Sequence, residues 1–166
     1  MAQINFEDLV NIRNENKNKK IVFCSGAFDL THAGHVLFLE DCKKHGDFLI
    51  VGVGSGAGIK LKGRGLPILN KYLRLKIVSS LKPVDHAFLI PDDIEVQYEL
   101  EKVKICLEKL KPDKYVINSD ASDIPYRQKI SKECGVELII LERSCPTEFE
   151  NISTTKIIEK IRKYVS

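Results

Sequence analysis

No apolar run in this sequence approaches the roughly 20 residues that a bilayer-spanning helix needs. The opening stretch MAQINFEDLV has no basic segment leading into an apolar one, so a secretory signal peptide is not expected. The chain reads as cytoplasmic, with no membrane partner. Charge of one sign is equally scarce. The 26 Lys and Arg residues stand against 23 Asp and Glu, a net +3, too mild to point to nucleic acid. Its lysine run NENKNKK reads as a solvated loop. The five cysteines, at 24, 42, 106, 134 and 145, are odd in number and form no C-x-x-C pair. That argues against a disulfide framework and a zinc knuckle, and for reduced thiols, with Cys24 a small core residue. There is no repeat, no low-complexity linker and no G-x-x-x-x-G-K-[ST] phosphate loop.

What is present is a globular pattern. The 166 residues are 43% hydrophobic and 30% charged, which fits one soluble domain over 1–166. Five short apolar runs, KIVFCS, DFLIVGV, HAFLI, KYVIN and VELIIL, are aliphatic on consecutive positions, as strands covered on both faces are. Helical patterns lie between them. Residues 33–45 form one. Leu73, Ile77, Val78 and Leu81 stripe a second, capped by Asn70. Val96, Leu100, Val103, Leu107 and Leu110 mark a third, ended by Pro112. Residues 123–133 form a fourth, and Ile157, Ile158, Ile161 and Val165 stripe a last one, capped by Ser153. The alternation predicts an α/β fold: a Rossmann-like three-layer sandwich with a five-stranded, mainly parallel sheet and helices on both faces. Ligands of such folds sit beyond the carboxyl ends of the strands.

The stretch GAFDLTHAGH, Gly26 to His35, leaves the first strand at that end. Gly26 allows close backbone approach or a positive φ. Asp29 is a short acid suited to capping or to a ligand. His32 and His35 share one face of a helix's first turn, where free N–H groups and the helix dipole favour a polyanion. Two imidazoles beside such a site can donate to charge developing on phosphorus. The spacing alone also fits polar residues at a helix start, or two metal ligands lacking an evident third. GVGSGAG suggests a dinucleotide fingerprint, but IKLKGRGLP follows it instead of a helix, and no acid lies about 20 residues on.

GAFDLTHAGH resembles the G-x-F-D-x-x-H-x-G-H signature of the cytidylyltransferase-like nucleotidyltransferases, and ISTTKII (152–158) resembles their second motif, I-S-T-T-x-I-I. The likeness runs from about Lys20 to Ile161. The middle of the chain is most similar to the adenylyltransferase part of the bacterial ADP-heptose synthesis enzyme, through Lys62-Gly63, Pro67, Arg74, Val84-Asp85 and LKPDKYVINSD. Glycerol-3-phosphate cytidylyltransferases and FMN adenylyltransferases share both main motifs. The resemblance implies transfer of AMP or CMP from a nucleoside triphosphate to a small phosphorylated acceptor, with Mg²⁺ accompanying the triphosphate and no metal bound by protein ligands.

On that basis His32 and His35, with Lys60 and Lys62 from a glycine-rich loop, are the expected catalytic residues. Gly26, Ala27, Phe28, Asp120, Ser153, Thr154 and Thr155 are the expected nucleotide site, and Asp29 and Arg74 the acceptor site. Many relatives are dimers, so a homodimer is expected. Three departures bear on the acceptor: GSGAG follows the second strand where polar residues are usual, so Gly54 and Gly56 replace them; Leu66 stands where an arginine is common; and INSD replaces Lys-Gly-Gly-Asp. The alternative of another class is a non-catalytic nucleotide-binding module.

Overall fold

The apolar runs become β2 (Ile21–Gly26), β3 (Phe48–Val53), β4 (His86–Leu89), β5 (Lys114–Asn118) and β6 (Glu137–Leu141) in a computed structural model, which describes residues 2–54, 67–150 and 152–165. A sixth, two-residue strand, β1 (Ala2–Gln3), pairs with β4 at one edge. Two residues carry no readable period, which is why only five strands are expected from sequence. The order is β1-β4-β3-β2-β5-β6, and each pairing is parallel. The sheet is thus wholly parallel among the described residues.

The chain moves outward from β2 to β3 and β4, then returns to place β5 on the other side of β2. The strand order therefore reverses beside β2, where a crevice opens at the carboxyl ends. β2 and β3 run level from Ile21–Phe48 to Gly26–Val53, and the Gly54 amide donates to the Gly26 carbonyl at 2.8 Å. Both strands so deliver their following loops to one rim.

Helices cover both faces. Side chains from α1 (Leu9–Glu15), α4 (Leu100–Leu110) and α5 (Ile124–Glu133) pack with Ile21, Phe23, Ile50 and Tyr115 in one core cluster. Leu39 and Cys42 of α2 (Ala33–Lys43) and Leu75 and Val78 of α3 (Lys71–Ser79) pack with Val22, Cys24 and Val51 in the other. Asn70 caps α3 as expected, accepting from the amides of Tyr72 and Leu73 at 3.0 Å. The inward face of α3 differs from the predicted stripe: Leu73 and Ile77 are exposed, while Arg74, Leu75 and Val78 are buried. A buried guanidinium, described below, sets that rotation. α4 starts at Leu100, after Val96, and stops at Lys111, whose φ of 47° breaks the helix before Pro112. The last helix, α6 (Thr154–Val165), has no buried residue.

Two landmarks of the resemblance serve the amino ends of the strands, away from the crevice. Asp113 accepts from the Ile21 amide at 2.8 Å and pairs with Arg13. Asp85 accepts from the Leu49 amide at 2.7 Å and pairs with Lys43. Each carboxylate satisfies a strand-end N–H that the ladder leaves open.

Candidate active site

The loop after β2 turns through two left-handed residues that are not glycine, Phe28 (φ 51°) and Leu30 (φ 45°). Bulky residues adopt that conformation only where the surroundings impose it, at a cost of order 1 kcal/mol each. Gly26 has no positive φ; a Cβ there would lie 3.1 Å from the Phe28 ring. Its lack of a side chain lets Phe28 fold back over the strand end, buried at 3% exposure. The Thr31 hydroxyl donates to the Phe28 carbonyl and holds the turn.

His32 is the N-cap of α2. Its Nδ1 accepts from the Gly34 amide at 3.1 Å, and Nδ1 of His35 accepts in return from the His32 amide at 3.4 Å. The two rings sit 4.1 Å apart, and Phe28 meets His35 edge-on at 5.5 Å. With both Nδ1 atoms accepting, the ring proton of each neutral imidazole lies on Nε2. Burial, joined by the charge of Arg143, lowers the pKa of His32; burial, the His32 ring and Arg143 lower that of His35 to about 4. At neutral pH the site therefore holds two neutral imidazoles with Nε2–H as donor.

The second motif docks on the first. The Thr154 hydroxyl donates to the Asp29 carbonyl at 2.9 Å, and a Cβ on Gly34 would lie 3.5 Å from the Ile152 carbonyl and 3.0 Å from the His32 ring. The H-x-G-H glycine is thus a close-approach position between the two motifs. Ser153 caps α6, accepting from the Lys156 amide at 3.3 Å. The proton of Thr154 is committed to Asp29, whereas the Thr155 hydroxyl has no partner among the described residues. The amino termini of α2 and α6 therefore face one cleft, of about 670 Å³, lined by His32, His35, Ser153, Thr154 and Thr155. That volume suits a nucleotide-sized ligand.

The two residues expected to hold the acceptor are engaged by the chain's own backbone. Both oxygens of Asp29 accept backbone amides at 2.9 Å, from Ile68 and Leu69. Arg74 is wholly buried, not solvent-facing; it donates to the carbonyls of Leu69 (3.0 Å), Ala27 (2.5 Å) and Gly54 (2.6 Å). These two side chains fasten the rim of the crevice. Asp120 lines the cleft, but its carboxylate is paired with Arg143 at 2.5 Å. Lys60 and Lys62, with Gly56 and Leu66, lie outside the described residues.

Sequence reasoning did not single out Arg143, whose charge reaches both histidines. Its signal is positional: it follows the carboxyl end of β6. Lys102 and Arg127 are also buried, and with Glu99 they line the same cleft from α4 and α5. Among the described residues no three His, Cys, Asp or Glu side chains gather to hold a metal. No helix among them is long and apolar enough to cross a membrane.

The family model Cytidylyltransferase-like matches residues 23–160. The bifunctional protein HldE of Campylobacter jejuni (strain RM1221) is 36% identical over 95% of this chain, and that of Helicobacter pylori (strain G27) 35% identical over 90%. The chain spans about 30% of the length of these curated relatives, 31% and 29%. The crystal structure of the lipopolysaccharide core biosynthesis protein from Thermoplasma volcanium GSS1 superposes with a TM-score of 0.60 at 30% identity, over 76% of this chain and 97% of that one. Pantoate-beta-alanine ligase from Francisella tularensis, complexed with beta-gamma ATP and beta-alanine, gives 0.67 at 20% identity, over 100% and 78%, a likeness of fold.

Proposed function

This chain belongs to the cytidylyltransferase-like family, and on that premise we propose that it transfers AMP from ATP to a sugar 1-phosphate of the heptose type, releasing pyrophosphate. The observation that carries the reading is the reciprocal cap that holds His32 and His35 as neutral Nε2 donors beside the amino terminus of α6. Similarity to HldE proteins favours adenylyl over cytidylyl transfer and a heptose phosphate over other acceptors.

A phosphate oxygen of the acceptor attacks the α-phosphorus in line. The new P–O bond forms as the bond to the bridging oxygen of the β-phosphate breaks, and pyrophosphate leaves. The acceptor phosphate is already an adequate nucleophile, so no covalent enzyme intermediate is needed, and the protein supplies position and charge stabilisation. His32 and His35 donate from Nε2 to the oxygens of the transferring phosphoryl group. Thr155 and the first amides of α6 hold the β- and γ-phosphates. Arg143 leaves Asp120 for the polyphosphate, and Lys60 and Lys62, outside the described residues, are assigned to the same phosphates. Mg²⁺ bound to the triphosphate would offset its charge, and no protein ligand to the ion is proposed. The protein acts as a homodimer.

The test is pyrophosphate release from ATP, CTP, GTP and UTP against heptose 1-phosphate, glycerol phosphates, polyol phosphates and FMN. Release specific to ATP and a sugar 1-phosphate is expected. His32→Ala should lower kcat by about 10²–10³, with little change in KM, as loss of a transition-state donor does. Wild-type turnover in that variant sinks the assignment.

A further inference from the structure

Nucleotidyl transfer occupies the half of the cleft between α2 and α6. The half between α4 and α5 carries a polar set of its own. The Lys102 side chain is only 5% exposed. Its ammonium lies 3.4 Å from the Asp92 carbonyl and 3.4 Å from Oε1 of Glu99, both at the long limit for a charged hydrogen bond. A buried ammonium has three donors to satisfy, and leaving them poorly met is costly. Lys102 and Glu99 both line the cleft.

Arg127 faces the same space from α5. Its Nε donates to the Ser122 carbonyl at 2.8 Å and its Nη1 to the Tyr115 hydroxyl, while Nη2 has no partner among the described residues. Arg127 is buried and also lines the cleft. The two walls are fastened together: the Tyr98 hydroxyl, just ahead of α4, donates to Asp123 at 2.6 Å, and the Tyr98 ring meets Tyr126 edge-on at 4.9 Å. The set therefore offers an ammonium held at long distances, a guanidinium nitrogen not engaged by the described residues and one carboxylate acceptor along the same cleft.

A ligand that completes it must present acceptors to Lys102 and Arg127 and a donor to Glu99. A second anionic group on the acceptor supplies acceptors only and meets the Glu99 carboxylate at close range. Neighbouring hydroxyls do both, because each donates one proton and accepts through its lone pairs. We propose that Glu99, Lys102 and Arg127 grip adjacent ring hydroxyls of a sugar 1-phosphate acceptor. This rests on the nucleotidyl-transfer reading and adds the residues that read the acceptor's ring.

The experiment compares acceptors and variants in one pyrophosphate-release assay with ATP. Lys102→Met keeps the buried stem, and Glu99→Gln keeps the shape. Each should raise KM for heptose 1-phosphate or mannose 1-phosphate about tenfold to hundredfold, the worth of a hydrogen bond to a charged group, with the KM for ATP and the thermal midpoint little changed. In the unaltered protein, one monodeoxy analogue of mannose 1-phosphate should show the same rise in KM, and Glu99→Gln should add nothing further on that analogue. Unchanged sugar-phosphate KM values in both variants overturn the inference and leave the reaction standing. Turnover on FMN or glycerol 3-phosphate with none on any sugar 1-phosphate does the same. Absence of both turnover and ATP binding, read by thermal shift, overturns the functional reading and the inference with it.

Discussion

His32 and His35 each hold the other's backbone or ring in place, so the site's protonation state is built into its geometry. The pKa of His35 falls from 6.5 to about 4, chiefly through burial. The sign of the consequence follows from proton counts. Above pH 6.5 neither the folded nor the unfolded chain holds a proton on this ring, and stability does not depend on it. Between pH 6.5 and 4 the unfolded chain takes up a proton that the folded chain refuses, so stability falls as pH falls. The full loss is about 3 kcal/mol, at 1.36 kcal/mol per pKa unit. Urea unfolding at a series of pH values should show that decline, and His35→Gln should reduce it across this window, leaving the part due to His32, while abolishing most turnover. An equal decline in the variant would place the sensitivity elsewhere. The two histidines are legible through the likeness of GAFDLTHAGH to the family signature, since spacing alone leaves other readings open. Their tautomers are not, because these depend on the Gly34 and His32 amides that the fold brings to Nδ1.

The elements around the site are joined by Asp29 and Arg74, which connect the end of β2, the end of β3 and the start of α3. The family resemblance implies an acceptor role for both residues. Only the folded chain shows three carbonyls converging on one guanidinium and two amides on one carboxylate. Arg74→Met would leave the carbonyls of Leu69, Ala27 and Gly54 without this donor. It should cost about 3 kcal/mol or more, as breaking a buried polar network does, measured by urea unfolding at neutral pH. An acceptor-binding arginine would instead raise the acceptor KM at unchanged stability. The strands were readable because consecutive aliphatic residues mark a sheet covered on both faces, and Asn70 and Ser153 were readable as caps. The inward face of α3 was not: a buried arginine occupies a place that periodicity assigns to an apolar residue. Lys102 and Arg127 escaped for the same reason, as isolated cations in amphipathic helices whose burial is a tertiary fact.

At the scale of the whole molecule, large apolar side chains stand exposed on the last helix and on the edge strand. α6 has no buried residue, and its stripe ends in the exposed Ile161 and Val165, with Tyr164 beside them 90% exposed. Ile140 of the edge strand β6 is 40% exposed. Apolar side chains in such numbers on one helix ordinarily mark a surface that meets another protein, and the proposed homodimer gives it a second copy of this chain. The histidine cap, by contrast, is made within one chain: His32, His35 and Thr154 are positioned by contacts to Gly34 and Asp29 of the same protomer. Association and catalysis should therefore separate. Sedimentation velocity across the micromolar range should show a dimer for the unaltered chain. Ile161→Glu and Tyr164→Glu place a charge on the exposed end of α6, far along the helix from the ISTT turn, and should shift the chain toward monomer with the thermal midpoint and the KM for ATP nearly unchanged. A monomer at every concentration would sink the dimer. A dimer indifferent to both charges would move the interface off α6, and the edge strand β6, probed by Ile140→Lys, would then be the surface to test.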